Sequence, residues 1–423
     1  MNARKIRGDL ALSAGSQVAY KLLGFAIVAM LARHLAPTSF GQLMFALSLA
    51  ELLILATELG TSNLLVREVA VRPDAARTEL GAVLGARLVM LAPYTLLVTA
   101  VALAQPTGQA FVLLAAATYI ALRDISRSVS SVFVGLRRIG LSIVGFGSSL
   151  VLLTAGLMLV VVTGGGLGAA LVAYLTAGIW SVAVAGILIR LYVGATRPVF
   201  APATIWRVLV RALPLFGIGV MTLLHFKLDT ILLGFLRTYP EVAAYKASAT
   251  LLEASQAIVR PLTLIFLPIC AHLAAIGAYD QLGRSFERLS FAALGLGLAA
   301  AAVAWVAAEL IITTVYGEGY RDAANLLRLH FAATPAMFLG VVAILHSTAL
   351  RAERAAVVYL AGGVVLNLVA DLLLIPPLGA TGAALATLAA QSISGIGLFL
   401  HCRRRIAAAR PDPVAAAAAR SGS

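Results

Sequence analysis

Apolar residues run along this chain in long blocks separated by short polar connections. In the first half the blocks cover residues 11–33, 40–59, 80–104, 109–136, 141–162 and 167–193. After a polar stretch containing Arg197, Pro198 and Pro202 they resume at 208–236, 242–276, 289–315, 324–350, 355–375 and 382–401. A membrane-spanning helix needs roughly 20 such residues. The first block follows Arg4, Lys5 and Arg7, as a signal peptide would. It is too long for a cleaved apolar region and carries Lys21 at its centre, so it reads as a span. The pattern predicts an all-α polytopic membrane protein of about twelve transmembrane helices.

The connections orient the spans. Alternate ones carry the cations: Arg67, Arg72 and Arg77; Arg137 and Arg138; Arg190, Arg197 and Arg207; Arg284 and Arg288; Arg351 and Arg354; then Arg403, Arg404, Arg405 and Arg410. The others are poor in them, with Arg33, Arg237 and Arg321 as exceptions. Short loops with this bias place both termini in the cytosol. Reporter fusions after Thr107 and Gly379 are expected to read outside, and those after Arg197 and Arg410 inside. A cytosolic signal at Thr107 would overturn the whole topology, because the charge bias sets all loops together.

Weak duplication divides the chain. Gly168-Ala-Ala-Leu171 and Gly382-Ala-Ala-Leu385 open the sixth and twelfth spans, and Gly41…Leu49-Ala-Glu51 has the spacing of Ala243…Leu251-Leu-Glu253. Parallel repeats of this kind are related by an axis along the membrane normal. The expectation is two six-helix bundles about a pseudo-two-fold axis, residues 1–193 and 208–405. A cytosolic linker at 194–207 joins them, and a disordered cytosolic tail follows at 406–423.

Composition sharpens this picture. The chain is 61% hydrophobic and 12% charged, with mean hydropathy +0.98, against roughly one quarter charged in soluble domains. The net charge of +14 reads as cations retained at the cytosolic ends of helices, not as a nucleic-acid surface, since no basic stripe has interleaved aromatics. Cys270 and Cys402 give no disulfide framework, and no histidine pair has zinc-site spacing. Gly164-Gly165-Gly166 lacks the strand–helix frame of a nucleotide loop. No cofactor or metal is expected.

The informative residues are ions inside the apolar blocks: Lys21, Glu51, Glu58, Arg87, Lys227, Asp229, Glu253, Arg260 and Asp371. Each costs roughly 3 kcal/mol near the bilayer centre, so six facing lipid would cost about 18 kcal/mol, more than the ~5–15 kcal/mol stability of a typical domain. They must face the bundle interior or a watery cavity. One reading has them pair and pin helices together, most simply for Lys227, Asp229 and Asp371. The other has them bind substrate, most simply for Lys21 and Arg260. Arg260 lies seven residues after Glu253, on one helical stripe, and is followed by Pro261 and Pro268, which weaken the backbone ladder. Arg123 and Arg127 share a face, and Asp124 offers Arg127 a partner three residues away.

Several motifs, loose singly, occur in a specific order: Pro37-x-x-Phe40-Gly41; Glu58-Leu59-Gly60 leading to Val66-Arg67-Glu68; Asp229 before Ile231-Leu232-Leu233-Gly234; and Glu241…Tyr245. Tyr316-Gly317-Glu318-Gly319-Tyr320 and Asn367…Ile375-Pro376…Gly379…Gly382-Ala383-Ala384 complete the series. Over nearly its whole length the chain resembles the polysaccharide flippases, of O-antigen type, in the multidrug/oligosaccharidyl-lipid/polysaccharide exporter superfamily. It departs from the pattern at Ala243, where the family commonly has glycine.

The resemblance implies a transporter in the bacterial cytoplasmic (inner) membrane, not an enzyme. Its substrate would be an undecaprenyl-pyrophosphate-linked glycan, moved to the outer leaflet by alternating access. Membrane lipids and other polysaccharide assembly proteins are the implied partners. Arg260, Lys21 and Lys227 would bind the anionic headgroup, and Glu253, Glu51 or Asp229 would carry a coupling H+ or Na+. A multidrug or toxin antiporter of the same superfamily and a lipid II flippase remain alternatives, the latter usually with two more helices. A glycan polymerase or ligase would need acid/base residues on a large outer loop, and the outer connections here are a few residues long.

Overall fold

The computed structural model describes residues 3–409, without the side chains of 3–14, 17, 18, 214, 215, 217–219, 222, 257, 258, 260–262 and 264. Among the described residues the chain is helical and has no strand. In chain order the helices are α1 (Ala3–His34), α2 (Pro37–Leu53), α3 (Leu55–Glu58), α4 (Thr61–Val71), α5 (Ala76–Leu103), α6 (Thr107–Gly135), α7 (Ile139–Thr163) and α8 (Leu167–Tyr192). There follow α9 (Pro202–Leu236), α10 (Tyr239–Ala275), α11 (Tyr279–Tyr316), α12 (Ala323–Ala332), α13 (Thr334–Ala349), α14 (Glu353–Leu378) and α15 (Ala380–Ala409). Nine segments are long and apolar enough to cross a membrane, counting Pro37–Glu58 and Ala323–Ala349 as single spans. With α1, α9 and α10, of 32, 35 and 37 residues, twelve long helical segments are present, as the apolar blocks predict.

Contacts divide the chain into two compact units, Met1–Lys246 and Ala247–Ser423; the sequence boundary at 194–207 rests on repetition, a different criterion. Helix α15 continues to Ala409 and buries Ile406. The first four residues assigned to the tail are therefore helical, and 410–423 lie outside the described residues.

In the first unit, close approach depends on glycine. A Cβ on Gly41 would overlap the Tyr239 carbonyl, and one on Gly234 would enter the Phe45 ring. These absences let α2 lie against α9 and the start of α10, with Phe45 edge-on to Phe235 at 5.1 Å. Small residues allow such packing where lipid supplies no hydrophobic drive between helices. A Gly234→Val variant is expected to lose about 1–3 kcal/mol through overpacking, measured as a lower melting temperature of the purified protein. Phe45→Ala in the same chain is expected to restore part of it, and an unchanged melting temperature would refute the contact.

In the second unit α11 shows the inverted pattern of a membrane helix. It buries Ala293, Gly297, Ala304 and Ala308 and exposes Phe291 (77%), Trp305 (64%), Val306 (85%) and Leu310 (69%). Large apolar groups turned outward in this way require lipid as the solvent. A Cβ on Gly297 would come within 2.6 Å of Pro335 Cα. Thr334, opening α13, donates its hydroxyl to the Gly297 carbonyl at 2.8 Å.

Two of the three exceptions to the charge bias are neutralised within their own connections. Arg237 pairs with Glu241 at 3.2 Å and Arg321 with Glu318 at 2.9 Å. The weakened ladder expected at Pro261 and Pro268 does not break the helix: α10 runs through both without interruption. Breaks fall elsewhere, at Ile54 between α2 and α3 and at Ala333 between α12 and α13.

Candidate functional site

The Glu58-Leu59-Gly60 motif is an elbow. Leu59 and Gly60 both take left-handed backbone, φ 39° and 79°, which glycine adopts without strain and leucine does not. The turn ends α3 and starts α4. Glu58 caps the new helix, accepting from Gly60 N at 2.8 Å and Ser62 N at 3.2 Å. A carboxylate at a helix N-terminus satisfies its free N–H groups and its dipole together.

The elbow places Thr61 and Ser62 around Arg87 of α5, which is 1% exposed. Its Nε donates to Thr61 Oγ1 (2.9 Å), Nη2 to Ser62 Oγ (2.8 Å) and Nη1 to the Asp124 carbonyl (2.7 Å). Asp124 Oδ2 lies 3.0 Å from Nη1, and Glu58 Oε1 lies 3.5 Å from Nη2. Asp124 also accepts from Thr57 Oγ1 at 3.1 Å. Its bonds therefore go to Arg87, while Arg127, the partner offered by sequence spacing, feels its charge without a bond to it. The physical reason is burial: an arginine with no access to water needs every acceptor within reach.

Arg127 is exposed, and its guanidinium makes no hydrogen bond or ion pair among the described residues. One turn earlier Arg123 reaches Glu51 of α2 at 2.8 Å, with its guanidinium 5.5 Å over the Tyr119 ring. Tyr119 is held edge-on by Tyr174 at 5.0 Å. The second carboxylate oxygen of Glu51 receives Lys227 Nζ of α9, also at 2.8 Å. Thus Glu51 is shared by two cations from two other helices. The three side chains are 20–22% exposed, enough to meet water or a ligand. The neighbourhood sets Arg87, Arg123, Arg127 and Lys227 against Glu51, Glu58 and Asp124, an excess of one positive charge.

The other predicted site residues are placed as follows. Asp229 is buried two residues after Lys227 and accepts a short hydrogen bond from the buried Tyr245, tying α9 to α10. Glu253, half-buried on α10, lies within electrostatic reach of Tyr316. Asp371 and Asn367, one turn apart on α14, are both buried. Lys21 is exposed on α1, beside Tyr20, whose hydroxyl donates to the Ile143 carbonyl of α7 at 3.2 Å. Arg260 belongs to α10, but its side chain lies outside the described residues. Of these site residues, Glu51 and Lys227 are bonded to each other. Arg123, which the sequence places on one face with Arg127 as either a structural pair or a binding feature, joins the cluster through Glu51.

A family model described as polysaccharide biosynthesis protein matches residues 7–273. No curated protein sequence matches the chain. Among solved structures, an inward-facing multidrug resistance MATE family transporter of the MOP superfamily aligns with TM-score 0.69 at 14% identity, over 92% of this chain and 95% of its own. The lipid II flippase MurJ in an inward closed conformation gives 0.64 at 13%, over 94% and 90%. A MOP superfamily transporter from Pyrococcus furiosus, described as having a binding pocket whose reversed polarity suggests a different function, gives 0.57 at 14%, over 96% of each chain. At these identities the likeness is one of fold. The family model covers well over half of the 423 residues, and on that ground the chain belongs to the polysaccharide biosynthesis protein family, with a fold like that of these transporter structures.

Proposed function

We propose that this protein flips an undecaprenyl-pyrophosphate-linked oligosaccharide, a surface-polysaccharide precursor of O-antigen type, across the bacterial cytoplasmic membrane by alternating access. The observation that carries the reading is the Glu51 carboxylate held between Arg123 and Lys227, with Arg127 one turn away. A pyrophosphate entering a low-dielectric cavity loses its hydration and needs charged donors in exchange. Two cations already gathered on one carboxylate supply them, because the phosphate oxygens can take the place of Glu51. If a proton or Na+ occupies Glu51, the cations are released to the substrate; when it leaves, the carboxylate reclaims them. Ion movement and headgroup release are thereby linked through one residue. Asp229 and Glu253 are further candidates for coupling, and Lys21 and Arg260 for the headgroup.

In the Pyrococcus furiosus structure pocket polarity is taken to suggest function. Here the excess is cationic, which suits an anionic headgroup and repels a cationic drug. A strain lacking the protein is expected to lose surface glycan and accumulate the lipid-linked precursor in the cytosolic leaflet, with unchanged sensitivity to cationic dyes. Arg260→Ala is expected to insert normally and reproduce that loss, while Arg260→Lys retains part of the activity. Normal surface glycan with new dye sensitivity would place the chain among multidrug exporters instead.

A further inference from the structure

A second cationic feature lies in the second unit. The end of α10 and the first three turns of α11 enclose a cleft of about 460 Å³, within the roughly 300–1,000 Å³ range of small-ligand sites. Arg284 and Arg288 line it from one face of α11, together with Ser285. Gln281 and Leu289 of the same helix complete that side, and the lining from α10 is apolar, Phe266 and Leu273. Both arginines are exposed, and neither makes a hydrogen bond or ion pair among the described residues. This holds although Asp280 precedes Arg284 by one turn and Glu287 adjoins Arg288. Two like charges at i and i+4 repel each other, so an anion bridging them relieves a cost that the folded protein otherwise carries.

The depth of the cleft identifies the anion. Phe291, less than one turn beyond Arg288, is 77% exposed, and Ile265 and Ile269 on α10 are 59% and 51% exposed. The arginines therefore stand at the edge of the lipid-facing belt, where headgroups lie, and the apolar lining continues into that belt. We propose that this cleft binds the phosphate of an anionic membrane phospholipid, with Arg284 and Arg288 forking its oxygens and an acyl chain over Phe266 and Leu289, while the Ser285 hydroxyl is engaged with Cys270 Sγ at 3.6 Å. Basic pockets between membrane helices bind anionic headgroups by this chemistry.

The test is lipid retention by the full-length protein in neutral detergent, read by native mass spectrometry and independent of transport. Wild type is expected to retain phosphatidylglycerol over phosphatidylcholine by about tenfold or more, as one charge-assisted contact allows. Arg284→Gln/Arg288→Gln is expected to lose that preference with an unchanged melting temperature, since both side chains are exposed. Arg284→Lys/Arg288→Lys keeps part of it, which guards against a folding artefact. Equal retention of phosphatidylglycerol by the glutamine variant would overturn the site. Displacement of the lipid by inorganic phosphate at equal concentration would overturn its identity as a lipid site.

Discussion

Removing both cations from Glu51, in an Arg123→Ala/Lys227→Ala variant, is expected to stop glycan flipping while the protein still inserts. A hydrogen bond to a charged group contributes about 1.5–3 kcal/mol, roughly ten- to a hundredfold per contact. Losing two such contacts to a pyrophosphate takes transport below detection. Insertion survives because Glu51 is 20% exposed and hydrates or takes a proton once its partners are gone. Adding Glu51→Gln to that variant separates two roles. If the triad only pins helices together, removing the stranded carboxylate restores transport. If the cations hold substrate, transport stays lost, measured as surface glycan in a complemented deletion strain. Recovery in the triple variant would remove the binding role.

Arg87→Ala is expected to act on stability instead, and severely. Deleting the guanidinium strands Glu58 and Asp124 and leaves Thr61 and Ser62 without their donor. Breaking a buried ion pair from one side costs about 3–5 kcal/mol, a large share of the ~5–15 kcal/mol available to a domain. The loss is read as a lower melting temperature and a smaller yield of monodisperse protein after extraction. Arg87→Lys recovers little, because an ammonium cannot reach three sides of its surroundings as the guanidinium fork does. A monodisperse Arg87→Ala protein with unchanged melting temperature would show that the elbow between α3 and α4 holds without it.

Span number was legible because each apolar block must bridge a fixed hydrocarbon thickness, so block length alone counts helices. The elbow was legible as the motif Glu58-Leu59-Gly60 but not as a shape, since only the backbone shows Glu58 capping α4. Helix α4 itself, short and charged, falls below what block length can detect. The weakened ladder at Pro261 does not end α10, because a proline in a long membrane helix loses only one hydrogen bond and the packing around it can hold the rest; Pro335, opening α13, is the proline that marks a break. Charges were located in depth but not in partnership. Sequence distance offered Asp124 to Arg127, which feels its charge, but packing gave its bonds to Arg87, 37 residues away. Glu51 and Lys227 are 176 positions apart, and only the packing of α2 against α9 brings them to 2.8 Å.

The most direct test of the account is the rate at which purified protein in proteoliposomes exposes a pyrophosphate-linked glycan lipid to a membrane-impermeant reagent. Wild type is expected to expose the inner-leaflet pool with an imposed H+ or Na+ gradient, and Arg123→Ala/Lys227→Ala to leave it protected. Equal rates for the two proteins, or no exposure by wild type under either gradient, would contradict the claim that this cationic cluster carries a lipid-linked glycan across the membrane.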